Sequence, residues 1–129
     1  RRDGEWWGEI PCLYFEINPE GVDYGFFIWK PRTAMMEDFR RHITAYPEEF
    51  LELIRSTEEA VGGKVYADLY KRPKPTDNPA LEPFFAWKDK IGCTRHIDPG
   101  EDMFGPEILG EVAAFFEKLT PLYNYFNRF

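Results

Sequence analysis

The sequence is short of several things at once. Only 2 cysteines, Cys12 and Cys93, occur in 129 residues. That is too few for a disulfide framework, and their spacing matches no zinc motif. Such usage fits a reducing compartment, so a cytoplasmic location is expected. Apolar runs such as Val112–Phe116 are far too short to span a bilayer, and no membrane partner is expected. There is no glycine-rich phosphate loop, nucleophile elbow or paired-histidine metal helix, so no cofactor is implied. Positive charge is scarce as well. With 16 Lys and Arg against 23 Asp and Glu, the net charge is -7, which disfavours nucleic acid as a partner.

What the chain has in excess is aromatic residues, at 18%, with 12 Phe, 7 Tyr and 4 Trp. Each buries about 150–250 Å², so rings should dominate the core. The length suits one domain over residues 1–129. Charge is uneven: between residues 64 and 97 Lys and Arg outnumber Asp and Glu, although the chain as a whole is acidic. A locally basic segment is able to bind an anionic small molecule, although solvated or salt-bridged surface is the commoner outcome.

Residues 11–18 and 23–30 are rich in strand formers, and Asn18-Pro19-Glu20-Gly21 between them carries turn chemistry. This predicts an N-terminal β-hairpin. Alternation puts Leu13, Phe15 and Ile17 opposite Cys12, Tyr14 and Glu16, and Tyr24, Phe26 and Ile28 opposite Phe27 and Trp29. Both faces are apolar, so cover on both sides is expected. Thr33 is placed to cap a helix with Met35, Met36, Phe39 and Ile43 inward. Pro47 opens a second helix that Gly62-Gly63 ends. Residues 64–72 alternate as a strand, residues 81–90 read as a short helix, and 91–97 as a fourth strand. Pro106 opens a last helix whose stripe is Leu109, Val112, Phe116 and Leu119. Pro121 should kink or restart it. The order β-β-α-α-β-α-β-α predicts an α+β fold. Its sheet should have about four strands, mostly antiparallel or mixed, with four or five helices packed on it.

Candidate chemistry is sparse. Cys93 and His96 are three apart, and on a strand they point to opposite faces, so they make a poor nucleophile–base pair. Cys12, Cys93, His42 and His96 lack the close pairing of structural zinc ligands, and no metal site is expected. The polar face of the strands is more informative. Tyr66, Asp68, Tyr70 and Arg72 should share one face, as should Tyr14 and Glu16. Were those faces to coincide, two carboxylates would lie among phenols and a guanidinium, a setting that tunes acid–base groups.

Four segments then fall in a familiar order: Leu13-Tyr-Phe-Glu-Ile-Asn-Pro-Glu-Gly21, Pro47-Glu-Glu-Phe-Leu51, Tyr70-Lys-Arg-Pro73 and Pro121-Leu-Tyr123. In this order, and around Trp87-Lys-Asp-Lys90, the chain resembles the microbial family called domain of unknown function 2461. That resemblance implies no assigned activity. Family members begin with a further N-terminal region bearing a basic segment, which this chain lacks before residue 11. The resemblance therefore implies the C-terminal portion of a longer protein, in keeping with a start at Arg1 and a hairpin with two apolar faces.

Two functions follow as expectations. The first is a binding or interaction domain for an anionic small molecule or partner, drawing on Tyr14, Tyr66, Tyr70, Lys71, Arg72 and Arg95. The alternative is a small-molecule enzyme, such as a hydrolase, with Glu16 or Asp68 as acid–base group and Arg72 holding the substrate.

Overall fold

The computed structural model describes residues 7–100 and 105–129. Strands β1 (Cys12–Asn18) and β2 (Gly21–Ile28) form the hairpin. Helices α1 (Thr33–Ala45) and α2 (Pro47–Val61), strand β3 (Tyr66–Leu69), the short helix α3 (Glu82–Phe85), strand β4 (Trp87–Ile97) and helix α4 (Glu107–Phe126) follow. Among the described residues the strands make one antiparallel sheet in the order β1-β2-β4-β3. The α+β expectation holds, as does the order of its elements.

Local chemistry explains most boundaries. Asn18 Oδ1 accepts the Glu20 amide at 3.0 Å, and Gly21 takes a φ of 128° that a larger residue rarely adopts. Pro47 stands in the first turn of α2 with Glu48 and Glu49 beside it, favourable at the positive end of a helix. Gly62 closes that helix in the left-handed conformation, its amide and that of Gly63 both donating to the Glu58 carbonyl.

Some boundaries differ from the sequence reading. Thr33 is the first residue of α1, and the cap position is Arg32. β3 is four residues long, so Tyr70, Lys71 and Arg72 lie beyond it. The segment expected as a helix over 81–90 is helical only to Phe85, and β4 already begins at Trp87. Helix α4 runs unbroken through Pro121. The Thr120 hydroxyl donates to the Phe116 carbonyl at 3.0 Å within that stretch.

The core lies between one face of the sheet and α1, α2 and α4. Val22, Tyr24, Phe26 and Ile28 of β2 are buried there, with Phe39, Phe50, Trp87 and Phe126 joining them in a continuous ring cluster. On α4 the buried stripe is Ile108, Val112, Phe115, Leu119 and Leu122, whereas Leu109 is 68% exposed. The observed stripe shares Val112 and Leu119 with the expected one and is rotated from it by about one residue. The expected cover on both faces is not found among the described residues, because the helices pack on one side only. The other face of the sheet, with Tyr14, Phe27, Trp29 and Tyr66, stays partly open.

A candidate binding face on the open side of the sheet

Register decides which side chains share this face. Tyr14 pairs with Gly25, and Gly25 pairs with Thr94; Glu16 pairs with Asp23, and Asp23 with His96. Directly opposed residues of antiparallel strands point the same way. Tyr66 pairs with Gly92, and its hydroxyl is 3.0 Å from Thr94 Oγ1. The faces carrying Tyr14 with Glu16 and Tyr66 with Asp68 therefore coincide.

Two glycines make room in the middle. A Cβ on Gly92 would stand 2.8 Å from Tyr66 Oη and 2.9 Å from Phe27 Cδ1, so both rings lie against that bare backbone. Tyr14 meets Phe27 edge to face at 6.4 Å, and Phe27 is 6.2 Å from Trp29. The result is a row of rings over a glycine floor. From Asp23 to Trp29 it extends about 20 Å along β2, at roughly 3.4 Å per residue.

Its two ends are polar. At one end His96 Nδ1 is 2.6 Å from Asp23 Oδ1, and His96 Nε2 is 3.3 Å from Asp98 Oδ1. Asn18 Nδ2 donates to both Asp23 and Glu16, at 3.1 and 3.2 Å. The hydrogen bond from His96 holds the Asp23 carboxyl below its ordinary value, helped by that from Asn18. The same bond raises the imidazole of His96 above the ordinary 6.5. At the other end Lys90 lies 5.0 Å over the Trp29 ring and 3.6 Å from Asp68. Lys90 adopts a φ of 52° where the β3–β4 register shifts, a bulge that turns its side chain towards Trp29.

The phenol of Tyr14 is pushed up to about 12, first by burial and then by Tyr66, Asp23 and Glu16 nearby. It stays protonated near neutral pH, and among the described residues no group accepts its hydrogen bond. A neutral donor thus stands at the centre of the face. Both thiols are held towards the protonated form. Burial raises Cys12, and it raises Cys93 to about 11, while the thiolate is the reactive form. Among the described residues no cluster of His, Cys, Asp and Glu is arranged to hold a metal ion, and no helix is long and apolar enough to cross a membrane.

The segments that carried the family resemblance all lie in this one architecture: the hairpin that builds the face, the start of α2, the exit from β3 and the end of α4. A family model described as "Conserved hypothetical protein (DUF2461)" matches residues 3–125. The chain belongs to the DUF2461 family. No curated protein and no solved structure matches it.

The remaining candidates of this DUF2461 chain are dispersed. Arg95 pairs with Tyr24 on the helix side, where its guanidinium donates to the Val61 carbonyl and lies 4.5 Å over the Phe115 ring. Tyr70 is beyond β3, under the ammonium of Lys74 at 4.6 Å, and Lys71 and Arg72 are exposed on the same loop. Glu16 and Asp68 share the face but stand at its opposite ends, about 20 Å apart along β4. The Asp23–His96 pair escaped the sequence reading. Its partners are 73 residues apart, and only the β2–β4 register joins them.

The pair gives a pH signature. A raised His96 pKa contributes stability that is complete below the unfolded imidazole value and is lost as pH rises through the folded one. The lowered Asp23 pKa contributes stability that is lost as pH falls through its own folded value. His96→Gln should therefore destabilise the protein in the window between, at about pH 5.5, and have no effect at about pH 9. Paired thermal melts check this; an equal cost at both pH values would mean the contact is not ionic.

Proposed function

We propose that the protein is a binding domain whose ligand lies on the open sheet face. The observation that carries this is the row Tyr14, Phe27, Trp29 and Tyr66, left accessible over a glycine floor with polar groups at both ends. Accessible rings grouped on a rigid element are a recognition surface more than a core feature. Carboxylates from Glu16, Asp23, Asp68 and Asp98 surround the row, against His96 and Lys90. That balance favours a flat molecule that is neutral or cationic, resting on the rings and accepting a hydrogen bond from Tyr14. The hydrolase reading has less support. It needs Glu16 or Asp68 to work with Arg72, and these groups do not converge, nor does an activated nucleophile accompany them. The anionic ligand is likewise poorly served here, since Arg95 is spent on the helix side and Lys90 on Asp68.

A thermal-shift and tryptophan-fluorescence screen of planar neutral and cationic compounds tests the reading. At least one compound should quench fluorescence and stabilise the fold, and Tyr66→Ala should weaken it about tenfold, the worth of one ring contact in a double-mutant cycle. Hits indifferent to Tyr66 and Phe27 substitutions would place the ligand elsewhere.

A further inference from the structure

On the opposite side of the molecule, α1, α2 and the residues flanking them carry basic side chains that have acidic neighbours. Arg32 meets Glu9, Arg41 meets Asp38, Arg55 meets Glu52 and Glu59, and Lys64 meets Glu58. Arg40 breaks the pattern. It lies one turn from Met36 and from Ile43, on the buried stripe of α1, and is 9% exposed. Its Nη1 is buried and has no hydrogen-bond partner, and among the described residues no carboxylate pairs with it. Withdrawing part of a guanidinium from water without a counter-charge is costly, and an anion within its reach would offset that cost.

The space for one is present. Arg40 lines a cavity of about 320 Å³ with Glu37, Arg41, Thr44 and Phe85. Two of these polar groups are already engaged. The Thr44 hydroxyl donates to the Arg40 backbone carbonyl at 2.8 Å, and Arg41 is held by Asp38. Arg40 is thus the cation with capacity left, Phe85 offers an apolar wall, and Glu37 sets a negative charge at the rim. We infer that this cavity is a binding site for a small oxyanion, the phosphate or carboxylate group of a small molecule, held on the planar fork of Arg40. The fork matches two oxygens of either group, and an apolar wall beside it suits a ligand with an organic body. This is a site separate from the sheet face, and it gives the anionic ligand expected of the sequence a different address from the residue 64–97 segment.

The test is a titration of the full chain with inorganic phosphate, and separately with acetate, against sodium chloride at matched ionic strength. The wild type should show a saturable rise in melting temperature of about 3 °C or more with one of the two anions. Arg40→Met should lose the response and be no less stable in chloride, because it removes an unpaired buried charge. Glu37→Gln should bind the anion more tightly. Should the methionine variant fail to fold, Arg40→Lys, which keeps the charge without the fork, should need about tenfold more anion for the same shift. Several results overturn the inference. One is a wild type indifferent to both anions. Another is a rise that never saturates and persists in Arg40→Met, the mark of general salt exclusion. A third is equal destabilisation by Arg40→Met and Glu37→Gln, the mark of an internal ion pair.

Discussion

Replacing Phe39 with alanine is expected to lower the free energy of unfolding by about 3–5 kcal/mol, a large share of the ~5–15 kcal/mol that holds a domain of this size. Phe39 has no exposed surface and is where the helices and the sheet meet. Its ring stacks on Trp87 at 5.9 Å and 5°, meets Phe50 edge-on at 5.2 Å, and lies 5.4 Å from Phe126 and 6.0 Å from Phe129. Those partners come from α2, β4, α4 and the C-terminus, so none can follow the shortened side chain without dragging an element with it. The cavity left behind adds to the lost transfer energy, which puts the cost at the upper part of the range for large-to-small changes. Urea or thermal denaturation reads it directly, with a midpoint fall of roughly 10–20 °C. A loss under about 1 kcal/mol would show that the ring cluster relaxes freely, contrary to the tight mutual geometry of these five rings.

The element order was legible because its signals are local. Pro and Gly at the hairpin, at Pro47 and at Gly62 each act through their own backbone, and tertiary contacts only agree with them. The misreadings share a different cause. For α4, stripes through Leu109 and Phe116 or through Ile108 and Phe115 fit the same three-and-four spacing, and only the position of the sheet selects the second. For residues 86–90, Leu81, Phe84, Phe85 and Lys88 fit a helix, yet the helix ends at Phe85 and the chain runs as β4 from Trp87, with the left-handed Lys90 at the register shift inside that strand. The candidate face was half legible. Alternation grouped Tyr14 with Glu16 and Tyr66 with Asp68, while the coincidence of the two groups depends on the order β1-β2-β4-β3, which no short-range pattern encodes. Arg95 and His96 show the limit most plainly. They are adjacent, both polar and on opposite sides of β4, one over the Phe115 ring and one beside Asp23. The signal for Arg40 was present, since it is four residues after Met36 and three before Ile43, inside the stripe assigned to the core.

Gly25→Ala is expected to remove at least about 3 kcal/mol of stability and, with it, any binding on the open face. Gly25 is in the middle of β2, paired on one side with Tyr14 and on the other with Thr94. Its φ is +148°, a conformation that side-chain-bearing residues occupy at a cost of about 1–3 kcal/mol. A Cβ would also fall well inside van der Waals contact distance of the Cys93 carbonyl oxygen and 2.7 Å from Thr94 Cα. Both are backbone atoms of β4, and they cannot rotate aside. Relief requires β2 and β4 to separate, and that ladder is the centre of the sheet. Gly92→Ala makes the informative comparison, because its Cβ meets side-chain atoms, the end of Tyr66 and the ring edge of Phe27, and not backbone. Its stability cost should be about 1–2 kcal/mol, while the displaced rings spoil the same face. Denaturation curves of the two variants, with ligand titration of whichever remains folded, separate the roles. Gly92 would then shape the surface, and Gly25 would hold together the strands that carry it. If Gly25→Ala instead melts within about 1 kcal/mol of the parent, the close β2–β4 approach is not what fixes the register, and the pairing that brings Tyr14 to Thr94 and Asp23 to His96 loses its physical basis.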